Sequence, residues 1–171
     1  QHSIDAGLDM SSNGGLVIIK SREQGTYDWA WFDKPTSWGG WLSSNDTGTN
    51  DYPNDASLSV DSDGFNILQS SVFWNTVGDD HVSYAFNKEP GFFDVIEYDG
   101  DDNAQSIAHN LGCKPGFIIV KAVNMSNGGW ITYHKSRSSP ANTRMQKLNE
   151  ANSEETGSYF WNSTDPTKTH F

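Results

Sequence analysis

A chain of 171 residues holds one substantial domain or two small ones. Its formal net charge of −11, from 22 acidic and 11 basic side chains, argues against nucleic acid and anionic membranes as partners, since both recruit Lys and Arg. No apolar stretch approaches the roughly 20 residues that cross a bilayer as a helix, and the single cysteine, Cys113, forms no internal disulfide and reads as a small buried hydrophobe.

Short strands and turns follow one another along the chain. Residues 16–20 are an apolar, β-branched run bounded by Gly15, the pattern of a strand buried in a sandwich core. Residues 27–32 alternate, with Tyr27, Trp29 and Trp31 on one face and Asp28, Ala30 and Phe32 on the other. Residues 45–55 are polar and read as a loop. Asp63-Gly64 is a hairpin signal, because both turn residues tolerate positive φ. Residues 82–86 alternate again, and residues 92–98 read as a strand closing on a second hairpin signal, Asp99-Gly100. Residues 117–121 repeat the apolar run, and residues 136–142 and 149–156 read as loops. Residues 143–155 are the one stretch a helix could claim, with too few apolar positions to anchor it. Turns this frequent point to an all-β sandwich or jelly roll.

The same pattern occurs twice. Gly15-Leu16-Val17-Ile18-Ile19-Lys20 returns as Gly116-Phe117-Ile118-Ile119-Val120-Lys121, and Trp29-Ala30-Trp31-Phe32-Asp33-Lys34 returns as Trp130-Ile131-Thr132-Tyr133-His134-Lys135 at the same distance downstream. Two blocks with matched spacing define a tandem repeat of about one hundred residues. The alignment extends outward, laying Ile4 against Ile107, Asn45 against Asn149 and Phe65 against Phe171. Residues 1–103 then form a first unit and residues 104–171 an incomplete second one, which reads as a fragment of a longer protein. The two units either fold separately or pair into one larger sandwich.

With Ser62-Asp63-Gly64-Phe65, Gly78-Asp79-Asp80-His81-Val82-Ser83-Tyr84-Ala85-Phe86 and Ile107-Ala108-His109-Asn110-Leu111-Gly112 added, the pattern resembles an uncharacterised repeat family of bacteriophage virion proteins, marine ones especially, similar to tail fibres. The resemblance covers nearly the whole chain. It implies a concanavalin-like or jelly-roll sandwich and a place on the virion surface. It also implies other virion proteins as neighbours and, by analogy with virion appendages, a homo-oligomer, a trimer. It brings no catalytic residue.

Candidate sites are few. Trp38 and Trp41 flank Gly39-Gly40 in what reads as an exposed loop, and with Tyr52 they make a candidate platform for a sugar ring or a partner. Asp99, Asp101 and Asp102 are a candidate Ca2+ site, since calcium takes six to eight oxygens and acidic turns supply them. Trp29 and Trp130 read as core, and Lys20, Lys34, Lys121 and Lys135 as strand-end charges that block edge pairing. Asp94 and Glu97 sit on one expected strand rather than across a cleft, so they do not form the opposed pair that glycoside cleavage needs. The expectation is therefore a non-enzymatic virion appendage module that binds host-surface glycans. The alternatives are a capsid-decoration or spacer module, and a secreted carbohydrate-binding module or glycosidase.

Overall fold

The computed structural model describes residues 2–23, 25–48, 57–69, 71 and 73–171. The described chain is nearly all β, and every strand pair is antiparallel. The strands are β1 (His2–Asp5), β2 (Gly15–Ser21), β3 (Ala30–Asp33), β4 (Leu42–Ser43), β5 (Leu58–Val60), β6 (Gly64–Ile67), β7 (His81–Asn87), β8 (Phe117–Lys121), β9 (Trp130–His134), β10 (Arg144–Lys147) and β11 (Glu155–Thr156). They form three sheets, ordered β1-β6-β5, β4-β3-β2-β7 and β11-β10-β9-β8. One helical turn, α1 (Met10–Asn13), is capped by Asp9, whose carboxylate accepts from the Ser12 amide at 3.1 Å.

The first two sheets share one core, as in a β-sandwich. Val17, Ile19, Ala30 and Phe32 face inward from β2 and β3 and meet Leu58, Phe65 and Ile67 of the β1-β6-β5 sheet, with Met10 beneath them. The alternation of β3 is the physical cause: Ala30 and Phe32 are fully buried, whereas Trp31 and Asp33 between them are half-buried on the other face. Two glycines let strands approach where a side chain would not fit. A Cβ on Gly15 would lie 2.0 Å from the Phe86 carbonyl oxygen, and one on Gly64 would lie 2.2 Å from that of Ile4. The β5–β6 connection is closed by Asp61, whose carboxylate accepts from the amides of Asp63 at 2.9 Å and Gly64 at 2.8 Å.

The third sheet pairs as the second does. Leu16 faces Asp33 and Ile19 faces Ala30; Phe117 faces His134 and Val120 faces Ile131, each residue 101 positions further on. Trp31 faces Leu42 on the next strand, and Thr132 faces Gln146. The Asn45 side chain accepts from the Trp29 amide at 3.3 Å, and the Asn149 side chain accepts from the Trp130 amide at 2.8 Å. Ile4 is paired with Phe65, and Ile107 exchanges backbone bonds with Phe171 at 2.8 and 3.0 Å.

Some sequence expectations are corrected. Residues 92–98 form no strand; one isolated bridge, Glu89 to Phe93, closes a turn there, and Asp99-Gly100 joins no hairpin. Residues 143–155, with too few apolar positions to anchor a helix, carry β10 and the start of β11. Cys113 is exposed rather than buried. Lys121 ends the edge strand β8, and its ammonium donates to the carbonyls of Gly48 and Ala122, both at 2.8 Å.

The third sheet meets the sandwich through β9. Trp130 is only 3 % exposed, its ring centroid lies 5.0 Å from that of Trp31, and its indole N–H donates to the carbonyls of Ser43 at 2.9 Å and Asp46 at 3.2 Å. This residue was expected in a core, and the core it occupies is the junction.

Candidate functional site: a cationic cavity beside the third sheet

A concavity of about 280 Å3 opens where β9 runs into its following turn. Lys114, Lys135 and Arg137 line it together with Tyr133, Asn142 and Asp165. Three of the chain's 11 basic side chains thus converge on one hollow of a protein whose net charge is −11.

Local structure places each group. Tyr133 lies on β9 and is 1 % exposed, with its ring edge-on to Trp161 at 5.6 Å. Lys135 directly follows the strand, and its amide donates to the Gly116 carbonyl at 2.9 Å, which keeps the end of β9 against the start of β8. The next turn brings in Arg137, whose amide donates to the His134 carbonyl at 3.0 Å. Its guanidinium donates to the Thr132 hydroxyl at 2.7 Å and to Gln146 Oε1 at 3.2 Å, and lies 3.6 Å from Glu154. Arg137 is therefore a fixed, largely buried charge in the floor.

Lys114 bonds the Asp165 carboxylate at 2.8 Å, and both side chains are about half exposed. That contact holds the Asp165 carboxyl below the usual range and the Lys114 ammonium above it. Burial, followed by the nearby Asp165 charge, pushes the Tyr133 phenol up, so it stays protonated. Lys135 has no ion-pair partner among the described residues. An uncommitted ammonium at the rim, a second one shared with Asp165 and a fixed guanidinium below make a site for a carboxylate or sulfate. Tyr133 and Asn142 add polar groups for hydroxyls.

The expected aromatic platform is not on the surface. Trp38 is 8 % exposed and Trp41 2 %, and both belong to the sandwich core. The Trp38 amide donates to the Asp33 carbonyl at 3.1 Å, which folds the turn inward. Trp41 then packs against Phe73 at 4.9 Å and Trp74 at 5.4 Å. Tyr52 lies outside the described residues. Asp99, Asp101 and Asp102 are exposed, and the Asp101 carboxylate is turned onto the Asn103 amide at 3.0 Å. Among the described residues no group of three or more His, Cys, Asp or Glu is placed to hold a metal ion.

Asp94 ion-pairs with Lys88 at 2.8 Å and accepts from the Asn110 amide at 2.9 Å. Burial works to raise its carboxyl, and these partners outweigh it and hold the carboxyl low. One aromatic pair that reaches solvent is Trp29 with Tyr84, stacked at 6.2 Å, with Tyr84 48 % exposed.

The sequence reading passed over Lys114 and Arg137 entirely. The available signal was basic residues gathered at 114, 135 and 137 of an acidic chain, but nothing local joins them until β8 and β9 pair.

The geometry is thus that of an all-β protein with antiparallel sheets and one shallow, cationic hollow. Residues 86–171, half of the chain and all of the cavity, match the family described as a domain of unknown function (DUF7483), and the chain belongs to that family. No curated protein and no solved structure matches it.

Proposed function

We propose that this chain is an adhesive module of a bacteriophage appendage that holds acidic saccharides of the host surface in the Lys114–Lys135–Arg137 cavity. One observation carries the reading: three cations converge on a single hollow of an acidic protein, and one of them, Lys135, has no ion-pair partner among the described residues. Lys114 and Arg137 already meet Asp165 and Glu154, so Lys135 is the charge in the hollow left open to an anionic ligand. The resemblance to virion repeat proteins supports the location, alongside other virion proteins and in a homo-oligomer. On this reading the protein performs no reaction.

The architecture belongs to the same proposal. We take the sandwich to be jelly-roll-like and the third sheet to be the start of a second copy of it. The matching registers and the Asn45 and Asn149 contacts support that. Repetition suits adhesion, because linked weak sites multiply affinity without new contacts.

A glycan array tests the function. Carboxylated or sulfated glycans are expected to bind, and neutral isosteres are not. Binding confined to neutral glycans, or none by a folded sample, rules the reading out. A second reading, a spacer without receptor, is favoured by Trp130, which joins the two sheets as a structural rivet; it accounts for an empty array.

A further inference from the structure

We infer that the outer edge of β8 is a docking site for a strand of the β7 type supplied by another copy of the repeat. This inference rests on the repeat reading above. In the first copy β2 lies between β3 and β7; in the third sheet β8, its counterpart, is the last strand, and among the described residues no strand pairs at the place of β7. The exposures record the difference. Leu16 is 7 % exposed and its counterpart Phe117 52 %; Val17 is wholly buried and Ile118 is 9 % exposed.

The direction of the backbone groups fixes which atoms are available. Lys88 donates to Gly14 and Arg22 to Asp80 across the β2–β7 ladder, so Leu16, Ile18 and Lys20 turn their N–H and C=O groups toward β7. Lys135 donates to Gly116 across the β8–β9 ladder, so Gly116, Ile118 and Val120 turn theirs toward β9. Phe117, Ile119 and Lys121 therefore face outward, at the positions of Leu16, Ile18 and Lys20. An edge strand with an exposed Phe and no proline or bulge is a template for pairing. β7 fits it by pattern, because its partner β2 has nearly the same sequence as β8. The expected register sets Phe117 against Phe86, Ile119 against Tyr84 and Lys121 against Val82, antiparallel. Main-chain bonds would hold the strand, as in strand-addition complexes.

The test adds a synthetic peptide of residues 79–89 to the chain and follows amide hydrogen exchange residue by residue. The expected result is slowed exchange at Phe117 and Ile119, saturating with peptide. N-methylation of the peptide at Tyr84, whose N–H faces the acceptor strand, should weaken it about tenfold, as loss of one well-placed hydrogen bond does. N-methylation at Ser83, whose N–H points away, should leave it unchanged.

Equal binding by both methylated peptides, or no protection by any, overturns the docking site while leaving the repeat intact, provided Ile118 and Val120 are already protected by β9. Free exchange at Ile118 and Val120 before peptide is added overturns the repeat pairing and the docking site together. Protection of Phe117 and Ile119 that rises with protein concentration alone means that β8 pairs with another β8, which also overturns the proposal.

Discussion

Replacing Trp130 should uncouple the third sheet from the sandwich. Its side chain is 3 % exposed, packs on Trp31 at 5.0 Å and donates one indole N–H to the carbonyls of Ser43, at the end of β4, and of Asp46 just after it. Removing a buried Trp costs about 3–5 kcal/mol, the transfer free energy plus the cavity left behind. Trp130→Phe keeps much of the packing and loses the donor, leaving the Ser43 carbonyl without this partner; that costs about 1–3 kcal/mol. A domain is stable by only about 5–15 kcal/mol, so the alanine variant loses a large share. With a urea slope of about 2 kcal/mol/M, the midpoint falls by roughly 2 M for Trp130→Ala and 1 M for Trp130→Phe. Urea unfolding followed by both tryptophan fluorescence and far-ultraviolet circular dichroism reads this. The two probes should separate in the alanine variant, the third sheet melting first. Coincident curves shifted by less than about 0.5 M would refute the junction.

Three further outcomes follow from the same contacts. Asn45→Ala and Asn149→Ala each remove an acceptor from a Trp backbone N–H, and each should cost about 1 kcal/mol by urea denaturation, with Asn149 the larger because its bond is shorter and partly buried. Gly15→Ala places a methyl 2.0 Å from the Phe86 carbonyl oxygen and should cost about 3 kcal/mol or more, with exchange at the β7 amides speeding up first. Asp33 is lifted above the usual carboxylate range by burial, against the pull of Thr36. A raised carboxyl favours folding when it is protonated, so its contribution is full below the unfolded pKa and lost as pH rises through the folded one. Asp33→Asn keeps an acceptor for the Thr36 amide at 2.8 Å and should stabilise at pH 7, with the gain vanishing near pH 3 in a pH series of thermal melts.

What the sequence revealed of the fold is what local pattern controls. The apolar blocks at 16–20 and 117–121, each followed by an alternating aromatic block, specified strands β2, β3, β8 and β9 and paired them in one register. The strand read at residues 92–98 does not form, because a strand needs a partner edge and among the described residues only the isolated Glu89–Phe93 bridge pairs there. Trp38 and Trp41 read as exposed because their neighbours are glycines. Trp41 is covered by Phe73 and Trp74, more than thirty residues away, which no local rule sees. The cavity was illegible for the same reason: Lys114, Lys135 and Asp165 converge only after β8 and β9 pair and residues 169–171 return to pair with residues 107–109. Trp29 was expected in the core with Trp130, yet it is half-buried and stacks on Tyr84, while its counterpart fills the junction.

The most direct measurement is calorimetric titration of an acidic oligosaccharide, such as an oligoglucuronate, into the chain, beside its neutral glucose counterpart and a Lys135→Glu variant. Lys135 is exposed, so reversing its charge leaves the fold in place. The account expects saturable, salt-sensitive binding of the acidic sugar alone, weakened at least tenfold by Lys135→Glu. Equal binding of the neutral sugar, or acidic binding untouched by the charge reversal, would contradict it.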